Sequence, residues 1–269
     1  MINPDLFQFA YVPGWFEHLD MLAEMALPEP WRYRNDLSGR KNTRTPILEK
    51  YINYVFKSQA YEHRNAVSTG DADDFFLLRN EYAVFNTGLL SRYLKPIYAY
   101  FEKNKREGYM HDWCFRGFVD DASTQLKYIH PLPHKPFSGL QHGVISFIAN
   151  WPLRVNVKHI LSDPDNLERI PHRFREFGNL SLLLETSVEM MRRYAMVMPS
   201  LIVAQVYQGQ IQYLMPLCLS NPDEPDLAMT VTPLDGYYLC STCLTLEMAY
   251  SNARLLAKPT APWLTELVE

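Results

Sequence analysis

YAVFNTGLL (residues 82–90), PIYAYF (96–101) and WCFRGFV (113–119) are the stretches that decide the fold class. Each is short, rich in aromatic and branched residues, and bounded by turn-forming residues, which is how a strand reads. In the second, Ile97, Ala99 and Phe101 alternate with Tyr98 and Tyr100, so the two sets face opposite sides of a sheet. A charged turn at 104–108 separates the second stretch from the third. Connections this short predict an antiparallel meander. Asn86, Thr87 and Gly88 interrupt the first stretch, which predicts a bulge or the close approach of another group to the backbone. Arg116 and Gly117 place a cation and a glycine in the middle of the third.

Upstream, Leu22, Ala23, Met25 and Ala26 predict a short helix started near Asp20 and stopped by Pro28 and Pro30. Pro46 fits the first turn of a helix over 46–60, where Ile47, Tyr51, Tyr54 and Val55 recur at helical spacing. Asp71, Asp73 and Asp74 read as a solvated acidic loop. Downstream, residues 130–152 are rich in proline and histidine and lack periodicity. LRVNVKHI (153–160) alternates, so it reads as a strand with Arg154, Asn156 and Lys158 on one face. Asp163-Pro164 opens a helix, and Asn179 caps a longer one over 180–198. Strands over 201–207 and 211–219 join at Gln208-Gly209; strands over 227–232 and 237–243 join at Asp235-Gly236. A helix over 244–258 follows. This order predicts an α+β fold: a largely antiparallel sheet of hairpins with helices packed against it. The expected organisation is one domain over 1–269, mainly helical over 1–80, with a sheet-and-helix core over 81–269. No internal repeat is visible in the residues.

The chain of 269 residues is 47% hydrophobic and 21% charged, with a net charge of -4, so bulk positive charge does not attract it to nucleic acid or membrane. No apolar stretch is long enough to span a membrane and no signal peptide is recognised, so a cytoplasmic protein with reduced thiols is expected. Cys240 and Cys243 form the only C-x-x-C, without a second ligand pair, and are expected to be buried core residues rather than zinc ligands. His130 and His134 are four apart, but Pro131 and Pro133 forbid the helix a metal site would need. His111, His142 and His159 are scattered. No metal is expected, no cofactor is named by the residues, and no phosphate-loop, dinucleotide or nucleophile-elbow motif occurs.

Several polar residues sit where structure alone does not ask for them. Arg154 and Asn156 make a cradle for an anionic group if they share a strand face. Asn86, Thr87 and Gly88 join them as ligand contacts, and Arg116, Arg154 and Arg254 would neutralise phosphate. Asn86, Arg116, Arg154 and Asn156 are expected to face one concavity. On the last helix, Asn252 falls among Met248, Ala249, Leu255 and Leu256 and is expected to be buried in a supporting role. Glu247 and Asp226 are the acid/base candidates.

FNTGL, PIYAYFEKN, WCFRGF, LRVNVKHIL, PLCLSNPDEPDLAMTV and LTLEMAYSNARLLA, with LAEMALPEPWRY and PILEKYI before them, resemble the bacterial DUF3825 domain family in consistent order. Some members resemble fusions to cold-shock or LOTUS/OST-HTH modules, so the resemblance implies a role directed at RNA or nucleotides. Three readings stay open. The first is a nucleotide- or RNA-directed domain, as an enzyme acting on phosphoester or ribose linkages (a hydrolase or transferase). The second is a non-catalytic RNA-binding module, and the third a protein-interaction domain or homodimer.

Overall fold

The structure, a computed structural model, describes residues 2–34, 44–105, 110–134, 147–207 and 210–269. The fold is α+β, with two five-stranded mixed sheets. The chain divides into two compact units, Met1–Ser138 and Gly139–Glu269, each holding one sheet. The division falls in the proline- and histidine-rich segment, and each sheet closes its own core.

In the first unit, α1 (Leu6–Phe9) and β1 (Ala10–Tyr11) precede α2 (Trp15–Met25) and α3 (Pro46–Ala66). Then come β2 (Phe76–Leu78), β3 (Tyr82–Leu90), β4 (Pro96–Lys103) and β5 (Trp113–Asp120). The sheet order is β1-β5-β4-β3-β2, antiparallel throughout except that β1 lies parallel to β5. The expected meander is present. Helix α2 begins earlier than expected, at Trp15, after Gly14 at φ +62°.

Helix α3 buries Ile47, Leu48, Tyr51, Ile52, Val55 and Phe56, positions three and four apart that turn one face to the sheet. The packing is aromatic. Phe56 lies 5.3 Å from Phe9 and 5.5 Å from Phe85, and Phe101 lies 5.2 Å from Phe115, ring centre to ring centre. Such pairs add about 0.5–1.5 kcal/mol each beyond area burial. Leu77, Val84, Tyr98 and Tyr100 pack with Leu126 and Ile129, from the segment after β5.

Strand β3 carries the expected irregularity: its register against β4 shifts between Asn86 and Leu90, with Gly88 at φ +73°. A second shift, between Tyr100 and Phe101, sets Phe115, Arg116 and Gly117 against two residues of β4. Arg116 is the extra residue, and Gly117 takes φ +139°.

In the second unit, β6 (Leu153–Val155) is followed by α4 (Val157–Ser162), α5 (Pro164–Arg169), α6 (His172–Arg175) and α7 (Leu180–Val197). Four strands then run as β7 (Val203–Tyr207), β8 (Gln210–Leu217), β9 (Leu227–Leu234) and β10 (Tyr237–Leu244), before α8 (Leu246–Leu256) and α9 (Pro262–Thr265). The order is β6-β10-β9-β8-β7, with β6 parallel to β10. Both units thus run from a short strand through helices into a four-strand meander, and the short strand joins parallel to the last one. The repeat lies in topology and not in residue identity, which is why the sequence does not display it. The Gln208-Gly209 turn lies outside the described residues.

The expected strand over 153–160 is corrected: only Leu153–Val155 is strand. Asn156 Oδ1 accepts from His159 N at 3.2 Å and caps α4. An eight-residue alternation fits a short helix as well, and asparagine is among the strongest N-caps. Asp163 caps α5 as expected, accepting from Asn166 N at 3.1 Å. The core joins Ile160, Leu184, Val188 and Met191 to Met215, Leu217, Met229 and Val231. Cys240 and Cys243 are free and fully buried, and burial pushes both thiols up to about 12. Residues three apart on a regular strand point oppositely. The register shift between Cys240 and Thr242 turns both inward.

Glu189 on α7 accepts from Arg192 Nε at 2.8 Å and Arg193 Nε at 2.9 Å. The Arg192 hydrogen bond, supported by Arg193, lowers the carboxyl from 4.5 to about 2. A depressed folded value means stability that is present above the ordinary carboxylate range and lost as pH falls toward 2. The exposed pairing keeps this contribution small and salt-sensitive. A carboxyl-carbon NMR titration should place the Glu189 midpoint at about 2, returning toward the ordinary range in Arg192→Ala.

At Gly117, an added Cβ would meet the His18 ring at 3.6 Å, an ordinary contact, so the backbone angle is the obstacle. Gly117→Ala should destabilise the chain by about 1–3 kcal/mol in chemical denaturation.

Candidate functional site

The bulge in β3 is held from two sides. Tyr51 Oη and Gln59 Nε2, both on α3, donate to the carbonyls of Thr87 and Asn86, each at 2.9 Å. Thr87 Oγ1 donates to Ile97 O at 2.6 Å and accepts from Leu89 N at 3.2 Å. Asn86 Oδ1 accepts from Gly88 N at 2.8 Å, while its Nδ2 donates to Pro133 O at 3.2 Å. Asn86 and Thr87 are buried. The structure therefore places the polar groups of 86–88 in the service of the bulge itself.

The second irregularity opens onto a cleft of about 550 Å³. Arg116 of β5, Lys103 of β4, Lys105 just beyond it and Tyr11 of β1 line the cleft, with Glu102 as its acid. The bulge aims Arg116 across β4, where its Nε reaches Glu102 Oε2 at 2.8 Å. Lys103 Nζ sits 5.1 Å over the Trp113 ring and 3.6 Å from Asp112 Oδ1. Lys105 Nζ is 3.9 Å from Glu81 Oε2. All three pairs are solvent-exposed, and such pairs contribute roughly 0–1 kcal/mol. An incoming anion can exchange with their carboxylates at little cost. Tyr11 is 47% exposed and offers a ring to a planar group.

Of the residues expected to share one concavity, Asn86 and Arg116 belong to the first unit and Arg154 and Asn156 to the second. Within the second unit, the guanidinium of Arg154 lies 4.2 Å over the Tyr237 ring, and Asn156 caps α4. The two do not share a strand face, since the strand ends between them. The Asp226 side chain is 5% exposed and accepts from Leu219 N at 2.7 Å and Ser220 N at 3.2 Å, besides pairing with Arg173. It clamps the turn between β8 and β9. Glu247 lies in the first turn of α8, where its charge suits the helix N-terminus.

The expected face of α8 is also corrected. Ala249, Tyr250, Ala253 and Arg254 are buried, whereas Asn252 is half-buried. The stripe is offset by one position, because Tyr250 and Arg254 are four apart and turn together into the fold. Arg254, 7% exposed, and Ser251 are the buried polar residues of this helix.

Among the described residues, no group of three or more His, Cys, Asp and Glu side chains is placed to hold a metal ion. His134 Nδ1 lies 3.7 Å from Asp74 Oδ1, and His111 Nε2 lies 2.9 Å from Phe7 O. His142 lies outside the described residues. Asp73 of the acidic patch pairs with Arg79 at 2.5 Å. Of the residues lining the cleft, the sequence singles out Arg116 and not Lys103, Lys105 or Tyr11. Lys105 falls in the stretch 104–108 that reads as a charged turn, and Lys103 lies just before it.

These features define an α+β chain of two topologically alike units with a cationic cleft beside the first sheet's parallel edge. The chain matches the family described as a domain of unknown function (DUF3825) over residues 22–263, and it belongs to that family. No curated protein and no solved structure matches it. No helix among the described residues is long and apolar enough to cross a membrane.

Asp226→Ala should destabilise the protein by about 1–3 kcal/mol, since two backbone N–H groups lose their acceptor. Thermal unfolding checks this. A variant that melts normally would free Asp226 for another role.

Proposed function

We propose that this protein is directed at RNA or nucleotides, and that the cleft of the first unit holds the phosphate and base. One observation supports the reading: Arg116, Lys103 and Lys105 surround a single opening together with an exposed tyrosine ring. A guanidinium offers a planar set of donors to phosphate oxygens, and lysines add mobile charge. Tyr11 would stack a splayed base, as single-strand binders do. The net charge of -4 favours a confined contact of this kind over a coat of basic surface. Turnover of phosphoester or ribose linkages would in addition need an acid or base; Glu247 and Asp226 belong to the second unit and the cleft to the first, so the cleft is proposed here as a binding site.

Fluorescence anisotropy with a labelled single-stranded RNA, and with AMP as competitor, tests the proposal. Wild type should bind at low salt. Arg116→Ala, Lys103→Ala and Lys105→Ala should each weaken binding and make the salt slope shallower by about 0.7 for every phosphate no longer neutralised. Absence of RNA and nucleotide binding at low salt, or unchanged binding in the triple variant, overturns it. Cleavage of the bound RNA would identify an enzyme; an intact RNA would identify a binding module.

A further inference from the structure

The second unit contains a cavity of opposite character. Its volume is about 310 Å³, and its walls include Met191, Tyr194 and Met198 at the end of α7, Pro216 of β8 and Trp263 of α9. Trp263 Nε1 donates to Leu201 O at 3.0 Å, so the indole is held in place before anything enters. Met198 is 47% exposed and Val197 76%, so apolar surface continues from the mouth onto the helix end. Two carboxylates, Asp223 and Glu266, also line the cavity, both on exposed residues. Neither forms an ion pair with a described residue.

We propose that this cavity binds a small organic ammonium: a single aromatic ring or short alkyl body carrying a protonated amine. Size and charge together point to that ligand. A volume near 310 Å³ sits at the low end of small-molecule sites, which run from roughly 300 to 1,000 Å³. The apolar body leaves water for the methionine, proline and tryptophan walls. Methionine side chains adapt to bodies of differing shape. The ammonium remains at the rim, where two carboxylates with no ion pair among the described residues attract a cation and repel an anion. A nucleotide is excluded by the same charges, so this site is separate from the cleft proposed for RNA.

Calorimetry and saturation-transfer NMR on the intact chain, with phenethylamine, phenethyl alcohol and hydrocinnamate, test the inference. Phenethylamine should bind about tenfold tighter than the alcohol, with hydrocinnamate weakest. Asp223→Asn combined with Glu266→Gln should erase the preference for the amine and leave the alcohol's affinity unchanged. Met198→Trp, at an exposed position, should fill the mouth and abolish binding of both. In a Cys114→Ser background, bound amine should slow alkylation of Cys218, which lines the cavity. Absence of amine binding, equal binding of amine and alcohol, or a preference that survives the double variant overturns the proposal. A Lys-Phe dipeptide amide that outcompetes phenethylamine would overturn the small-ligand occupant in favour of a peptide. RNA binding by the first unit is measured separately and stands or falls on its own.

Discussion

Two hydrogen bonds from α3 hold the first unit in register. Where β3 departs from its ladder, the carbonyls of Asn86 and Thr87 need donors inside an apolar fold, and Gln59 and Tyr51 supply them. Without those side chains the bulge would leave buried acceptors unpaired, at about 1–3 kcal/mol each. The same bonds seat the helix on the sheet, with Phe56 against Phe9 and Phe85. The first bulge is therefore a joint between layers. The second, on β5, turns a side chain outward and makes Arg116 a wall of the cleft.

Both units solve the same edge problem in the same way. A four-strand meander leaves its last strand with open backbone groups, and a short parallel strand covers them. A parallel partner demands a long crossover, and in both units helices fill it. The cores differ in chemistry. The first packs phenylalanine on phenylalanine; the second mixes leucine, valine, methionine and three cysteines. The two openings differ in charge as well: Arg116, Lys103 and Lys105 line one, and Asp223 and Glu266 line the other. One topology thus carries two openings whose lining charges are of opposite sign.

What the residues alone determined was local. Alternation in PIYAYF, the Pro46 start of α3, the Asp163 cap and the Asp235-Gly236 turn each state a backbone preference that needs no distant partner, and each element formed. Asn86-Thr87-Gly88 marked its bulge for the same reason. Four matters were decided only by tertiary structure. LRVNVKHI fits strand and helix alike, and pairing with β10 stops at Val155, where Asn156 turns to cap α4. The face of α8 depends on which residues its neighbours cover, so Arg254 and not Asn252 went deepest. The cleft required Lys103 and Arg116 to become neighbours across a bulged strand pair, and the division into two units required each sheet to close on its own helices. Side-chain convergence is a property of register and packing between segments far apart in the chain; periodicity sets which face of a segment is apolar but not which distant segment that face meets.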